Sequence, residues 1–371
     1  MNDLHGIIFA YHSHRNLGEL TRPRNTCSLP YGRRYRLIDF MLSNMVNAGV
    51  SDIGLIVHEN YQSLLDHVGS GKDWDLSRKY GGLRILPPFG AAERRQGEYQ
   101  GTMDALVSVS SYLRNIRQDY VVMAWGDMAV NLSLEDVFHQ HLTTGSDITM
   151  ICSKTHWGRS SDCQYLQTDA SGRVTDILLK PAQAPDALES LDIIILSKEL
   201  LLTLVEDGAA HDIQAFIRGA VLPRLNALNI MSYQYNGYVG RFHSVKEYFR
   251  RSMDLLQPDV QQDLFDPNAP VRTKDRCDPS TYYGPNSKCS NSLIADGCVI
   301  EGQVENSILF RGVVVEKGAK VSNCVLMQGT VIGADASISY AIADKNVHIG
   351  DHRTLTGQET YPIAIAKNTI V

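Results

Sequence analysis

The chain changes its hydrophobic grammar about two thirds of the way along. Up to about residue 250, short apolar runs alternate with amphipathic stretches. Runs at 6–10, 53–58, 120–125, 148–153 and 191–196 read as buried strands, and helices fit 38–47 and 101–115. In the second helix Leu106, Val109 and Leu113 stand at i, i+3 and i+7, the spacing of one helical face. Buried strands separated by helices predict a mostly parallel sheet, whose ligands sit at the C-terminal ends of the strands.

Beyond Pro285 four segments superpose: NSLIADGCVI from Asn291, NSILFRGVVV from Asn306, NCVLMQGTVI from Asn323 and YAIADKNVHI from Tyr340. Their third position is Leu293, Ile308, Val325 and Ile342, and their last is Ile300, Val315, Ile332 and Ile349. The seventh is Gly297, Gly312, Gly329 and Asn346, residues that tolerate positive φ. A short repeat of this kind predicts a solenoid of parallel strands. Lone coils cannot bury their faces, so the solenoid has to lean on the first domain or on another subunit. The expected organisation is a strand–helix domain over 1–250, a proline-punctuated connector over 251–285 and a β-helix over 286–371.

Composition narrows the function. The chain has 371 residues and a net charge of -6, which argues against a nucleic-acid binder. No apolar run approaches the roughly 18 residues that span a bilayer. The first residues, Met1 to His5, carry no basic n-region. Seven cysteines show no CxxC pair, so neither a zinc site nor a disulfide framework is indicated. A cytoplasmic protein is expected.

The segments RRYRLIDFMLSNMVNAGVSDIGLI, YQGTMDAL, YVVMAWGDM and LLKP, followed by the solenoid, resemble glucose-1-phosphate adenylyltransferase (ADP-glucose pyrophosphorylase) over nearly the whole chain. That resemblance implies a Rossmann-like nucleotidyltransferase domain with a C-terminal left-handed parallel β-helix. It also implies synthesis of ADP-glucose from ATP and glucose 1-phosphate for glycogen. Sugar phosphate attacks the α-phosphate of ATP, so Mg²⁺ held by carboxylates, cations on the triphosphate and backbone donors are required.

The site residues depart from the family's pattern. Where the family has a glycine-rich loop, this chain reads Tyr11, His12, Ser13, His14, Arg15, Asn16. Bulk fills the glycine positions, and Asn16 stands at an arginine. Thr26 replaces a phosphate-binding lysine, and Leu179 replaces the glutamate of a sugar-binding Glu-Lys-Pro, of which Lys180 and Pro181 remain. Asp127 matches one magnesium carboxylate, while Arg241 stands at the other. Tyr99, Gly101, Thr102 and Asp104 match nucleotide- and sugar-binding positions.

Losses at metal, triphosphate and sugar contacts on an intact scaffold resemble the GlgD-type regulatory subunit of this family. The resemblance then implies no working catalytic group and no metal in this chain, Mg²⁺ being used by a catalytic partner. The partner would be the catalytic subunit in a hetero-oligomer, expected as a tetramer, with a homo-oligomer also open. Phosphorylated metabolites would be the effectors, with Arg24, Arg33, Arg34 and Arg36 as candidate anion ligands. Two other readings stand beside this one. The first is an active nucleotidyltransferase with an atypical loop. The second is a β-helix acyltransferase using His348 or His352.

Overall fold

The computed structural model describes residues 3–11, 17–88, 99–154, 163–179 and 187–371. A nine-stranded sheet organises the first domain. Its main path runs Val174–Leu179, Gln164–Thr168, Leu188–Ser197, Tyr120–Trp125, Leu4–Ala10, Asp52–Val57, Gly82–Leu86. Ile148–Ser153 also pairs with Leu188–Ser197 and carries Ile230–Gln234 on its other side. The sheet is mostly parallel: only Val174–Leu179 and Leu188–Ser197 run against the other strands. All seven residues of Leu4–Ala10 are buried, as expected of a strand covered on both faces.

Helix Leu37–Asn47 begins where the Arg36 N–H donates to Asp39 Oδ2 at 3.0 Å and ends before Gly49, whose φ is 77°. The expected single helix over 101–115 is two, Thr102–Ser108 and Ser110–Arg114, broken at Val109. Ser108 Oγ donates back to the Ala105 carbonyl at 2.7 Å and lies 3.2 Å from the Tyr99 hydroxyl, and this local competition accompanies the break. Helix Val245–Asp254 crosses residue 250, helix Pro258–Leu264 follows, and the first strand of the second domain is Tyr282–Tyr283.

The second domain is three five-stranded parallel sheets wound as one coil. Leu293, Ile308, Val325 and Ile342 align rung on rung, as do Ile300, Val315, Ile332 and Ile349. Gly297, Gly312, Gly329 and Asn346 take the corner at φ 74°, 67°, 72° and 57°. This is the left-handed parallel β-helix that the sequence resemblance implies. One face of it is not solvated: Ile308, Val325, Met327 and Ile342 share a core with Leu20, Phe242 and Tyr248 of the first domain. At this seam Arg24 Nη2 donates to both carboxylate oxygens of Asp344, at 2.9 and 2.8 Å, with both side chains buried.

Candidate functional site

Leu4–Ala10 and Tyr120–Trp125 lie side by side, so their C-terminal ends bring Tyr11 and Asp127 to one edge of the sheet. Tyr11 does not project into open space. Its ring centre lies 5.0 Å from those of both Tyr99 and Trp125, and 6.1 Å from that of Phe9. Burial pushes its phenol well above the usual range. An aromatic cluster therefore forms at the end of the first strand. His12, His14 and Asn16 lie outside the described residues, as does Lys180.

The matched residues of the neighbouring helix serve the scaffold. A Cβ on Gly101 would come within 2.3 Å of the Gln214 carbonyl oxygen, so this close approach requires glycine. Thr102 Oγ1 accepts from the Phe216 N–H at 3.1 Å, and Asp104 Oδ2 accepts from the Gln100 N–H at 3.2 Å. Thr26 is buried in the turn Thr26–Ser28, which Asn25 caps, and Leu179 packs at the margin of the core.

The decisive side chain is Arg241. It is 4% exposed. Its Nε lies 3.2 Å from Glu189 Oε1, its Nη1 donates to Asp192 Oδ2 at 3.4 Å, and its Nη2 donates to the Ser190 carbonyl. Burial alone would lower its pKa, but Asp192, Glu189 and Asp127 hold it above the ordinary value. A guanidinium thus neutralises the carboxylates around the expected metal position. A divalent ion placed there would meet Asp127 together with a buried cation already held by two carboxylates, so the residues present do not fit magnesium. Beside Arg241 lies a cavity of about 100 Å³ whose lining includes Thr102, Trp125, Ser190, Asp192, Phe216 and Arg218. The sequence reading missed Glu189. Its charge hides in an apolar strand, and the cue was only its position next to Ser190.

A second site lies between the domains. Arg33, Arg34 and Arg36 meet Lys274 and Arg276 of the connector and Arg311 and Lys345 of the β-helix around one cleft. Arg36 Nη1 donates to the Ser63 carbonyl at 2.5 Å and to Ser63 Oγ at 2.9 Å. Burial, then the Arg36 and Arg24 charges, pull the Lys345 amine down to about 7. An anion would relieve this crowding of cations. Arg24 does not belong to the lining. It is committed to Asp344, so its role is to join the domains, and the expectation that it binds the anion directly is corrected. The contributions of Lys274, Arg276, Arg311 and Lys345 come from segments far along the chain and carried no local signal.

The fold and these edges define a class, a nucleotidyltransferase domain joined to a hexapeptide-repeat domain. Family models match accordingly: nucleotidyl transferase over residues 6–245, and the GlmU-like C-terminal hexapeptide over residues 281–360. The chain is 37% identical to the glycogen biosynthesis protein GlgD of Bacillus subtilis (strain 168), over all of this chain and 97% of that protein. It is 35% identical to GlgD of Geobacillus stearothermophilus, over 86% of this chain and 83% of that one. It is 32% identical to the glucose-1-phosphate adenylyltransferase of Thermotoga neapolitana, over 86% of this chain and 77% of that enzyme. The chain belongs to the glucose-1-phosphate adenylyltransferase family and within it to the GlgD type. Among the described residues no helix is long and apolar enough to cross a membrane.

Proposed function

We propose that this chain is a regulatory subunit of glycogen biosynthesis. In this reading it performs little or no adenylyl transfer itself and assembles with a catalytic homologue, as a tetramer. The single observation that carries the reading is Arg241, buried on Glu189 and Asp192 where the reaction would need a metal carboxylate. Transfer brings a sugar phosphate and a triphosphate together, and their charge has to be met by a metal ion and by donors aimed at the phosphates. Here the carboxylates are spent on an internal cation, and Tyr11 packs against Tyr99 and Trp125 at the end of the first strand.

The interdomain cleft gives this subunit its task. Cations from both domains would bind a phosphorylated metabolite, and the bound anion would bias the subunit's shape in the oligomer. The test is turnover. The purified chain, given ATP, Mg²⁺ and glucose 1-phosphate, is expected to form no ADP-glucose above background. Co-purified with the catalytic homologue, it is expected to change that enzyme's response to sugar phosphates. Turnover by the isolated chain on the order of 10 s⁻¹, an ordinary enzyme rate, would overturn the proposal.

A further inference from the structure

A third recess, distinct from both sites above, runs along the seam between helix Val245–Asp254 and one corner of the β-helix. It has a volume of about 580 Å³, within the range of small-molecule sites. The corner contributes Asn291, Asn306, Asn323 and Tyr340, one from each successive coil. Neighbouring coils are spaced by about 4.8 Å, the separation of paired strands. The carboxamides therefore form a ladder with a fixed step, and Asn291 Nδ2 donates to Asn306 Oδ1 at 2.7 Å.

Positive φ accounts for asparagine at this corner, and it does not account for the tyrosine that follows. All four residues sit at positive φ, from 40° to 51°. The Gly297 corner meets the same demand with glycine in three coils. The groove corner uses three asparagines and then a tyrosine, and a bulky residue in this region is strained by about 1–3 kcal/mol. The Tyr340 ring lies 6.3 Å from that of Phe249 on the facing helix. Charge separates this recess from the cationic cleft. Lys246 and Arg250 face Asp254 and Glu359, and with Arg251, which pairs with Asp254 at 2.8 Å, the groove carries an excess of one cation against the seven that line the cleft. A ligand here need not be an anion.

We propose that this groove binds a neutral linear oligosaccharide of hexose units. Each carboxamide offers both a donor and an acceptor, which suits vicinal hydroxyls, and the coil step suits a chain of repeating rings. Tyr340 supplies the aromatic face on which a sugar ring rests. The inference is independent of whether the chain catalyses.

The probe is maltoheptaose, titrated calorimetrically into the full-length protein. Wild type is expected to bind with Kd below about 1 mM. Two variants keep the positive φ available and so keep the coil: the double variant Asn306→Gly with Asn323→Gly, and Tyr340→Asn. Each is expected to weaken binding by about tenfold, the loss of two hydrogen bonds or of one stacked ring. Circular dichroism and sulfate binding at the interdomain cleft should be unchanged in both. No heat from wild type at several millimolar maltoheptaose, or equal affinity in wild type and both variants, would overturn the proposal. Failure of the regulatory reading would appear instead as turnover by the isolated chain, which neither variant affects.

Discussion

Replacing Arg241 separates an internal counterion from a structural accident. Arg241→Met keeps the bulk and removes the charge, leaving Glu189 fully buried and Asp192 partly so. Breaking a buried pair by removing one partner costs about 3–5 kcal/mol. For a domain of this size each kcal/mol lowers Tm by about 2–4 °C, so a drop of about 6–20 °C is expected. Arg241→Asp should be at least as unstable without metal, since it adds a carboxylate to a site holding Glu189, Asp192 and Asp127. It should differ in its response to Mg²⁺. At 100 times its Kd the ion returns about 2.7 kcal/mol by mass action. Wild type should not respond. At about 5 Å and an effective dielectric of about 20, charges of +2 and +1 repel by about 6–7 kcal/mol. The assay is thermal melting followed by circular dichroism across a Mg²⁺ series, with sodium chloride matching ionic strength. An unchanged Tm in Arg241→Met would refute the burial argument. A wild-type Tm that rises with Mg²⁺ as steeply as that of Arg241→Asp would refute the exclusion of the metal.

Three further outcomes are expected. Lys345 has a folded pKa of about 7 against 10.5 for the free side chain, so above pH 7 an entering anion must bring a proton with it. Affinity for sulfate, whose charge is constant there, should fall from pH 7 to pH 9 in wild type and stay flat in Lys345→Arg; parallel profiles would refute this. The unfolded chain holds this proton more tightly, so the same lysine makes wild type gain stability, relative to Lys345→Arg, as pH rises from about 7 to 10.5. Asp344→Asn strips the buried Arg24 of its counter-charge, at a cost of about 3 kcal/mol, and calorimetry should show the two domains melting separately; a single unshifted transition would contradict this. Asp127→Asn in this chain should leave the rate of the mixed oligomer unchanged, and loss of most of that rate with assembly intact would mean that this subunit carries a working site.

The β-helix was the most legible part of the sequence. Its rows follow from side chains repeating in register: Leu293, Ile308, Val325 and Ile342 share one position of the repeat and one row of the sheet. The strands Tyr120–Trp125 and Ile148–Ser153 were equally plain, because buried parallel strands are continuous apolar runs. Destinations of long polar side chains were not legible. Arg24 finds its partner 320 residues away, and Arg241 finds its own 49 and 52 positions back, at Asp192 and Glu189. Pattern says that such a cation is present, and only tertiary packing says whether it meets solvent, an anion or a buried carboxylate. Tyr11 shows the same limit: the sequence places it just after the first strand, and its direction is set by Tyr99 and Trp125.

The β-helix also resembles a one-dimensional crystal with a growing step. Its first coil offers the free edges of all three sheets, through Tyr282–Tyr283, Lys288–Ser290 and Leu293–Ile294. The first two of these strands are exposed throughout and carry Lys288, a residue that discourages further strands from adding. The coil behind it presents Val299–Ile300 and Ile308–Leu309, which are far more apolar and more buried. The first rung is therefore a terminator of lower order than what it covers. A chain from which residues 280–295 were deleted internally would lose that terminator and present a fresh apolar lattice plane, and its failure would be stacking of whole molecules end to end, with the first domain still folded.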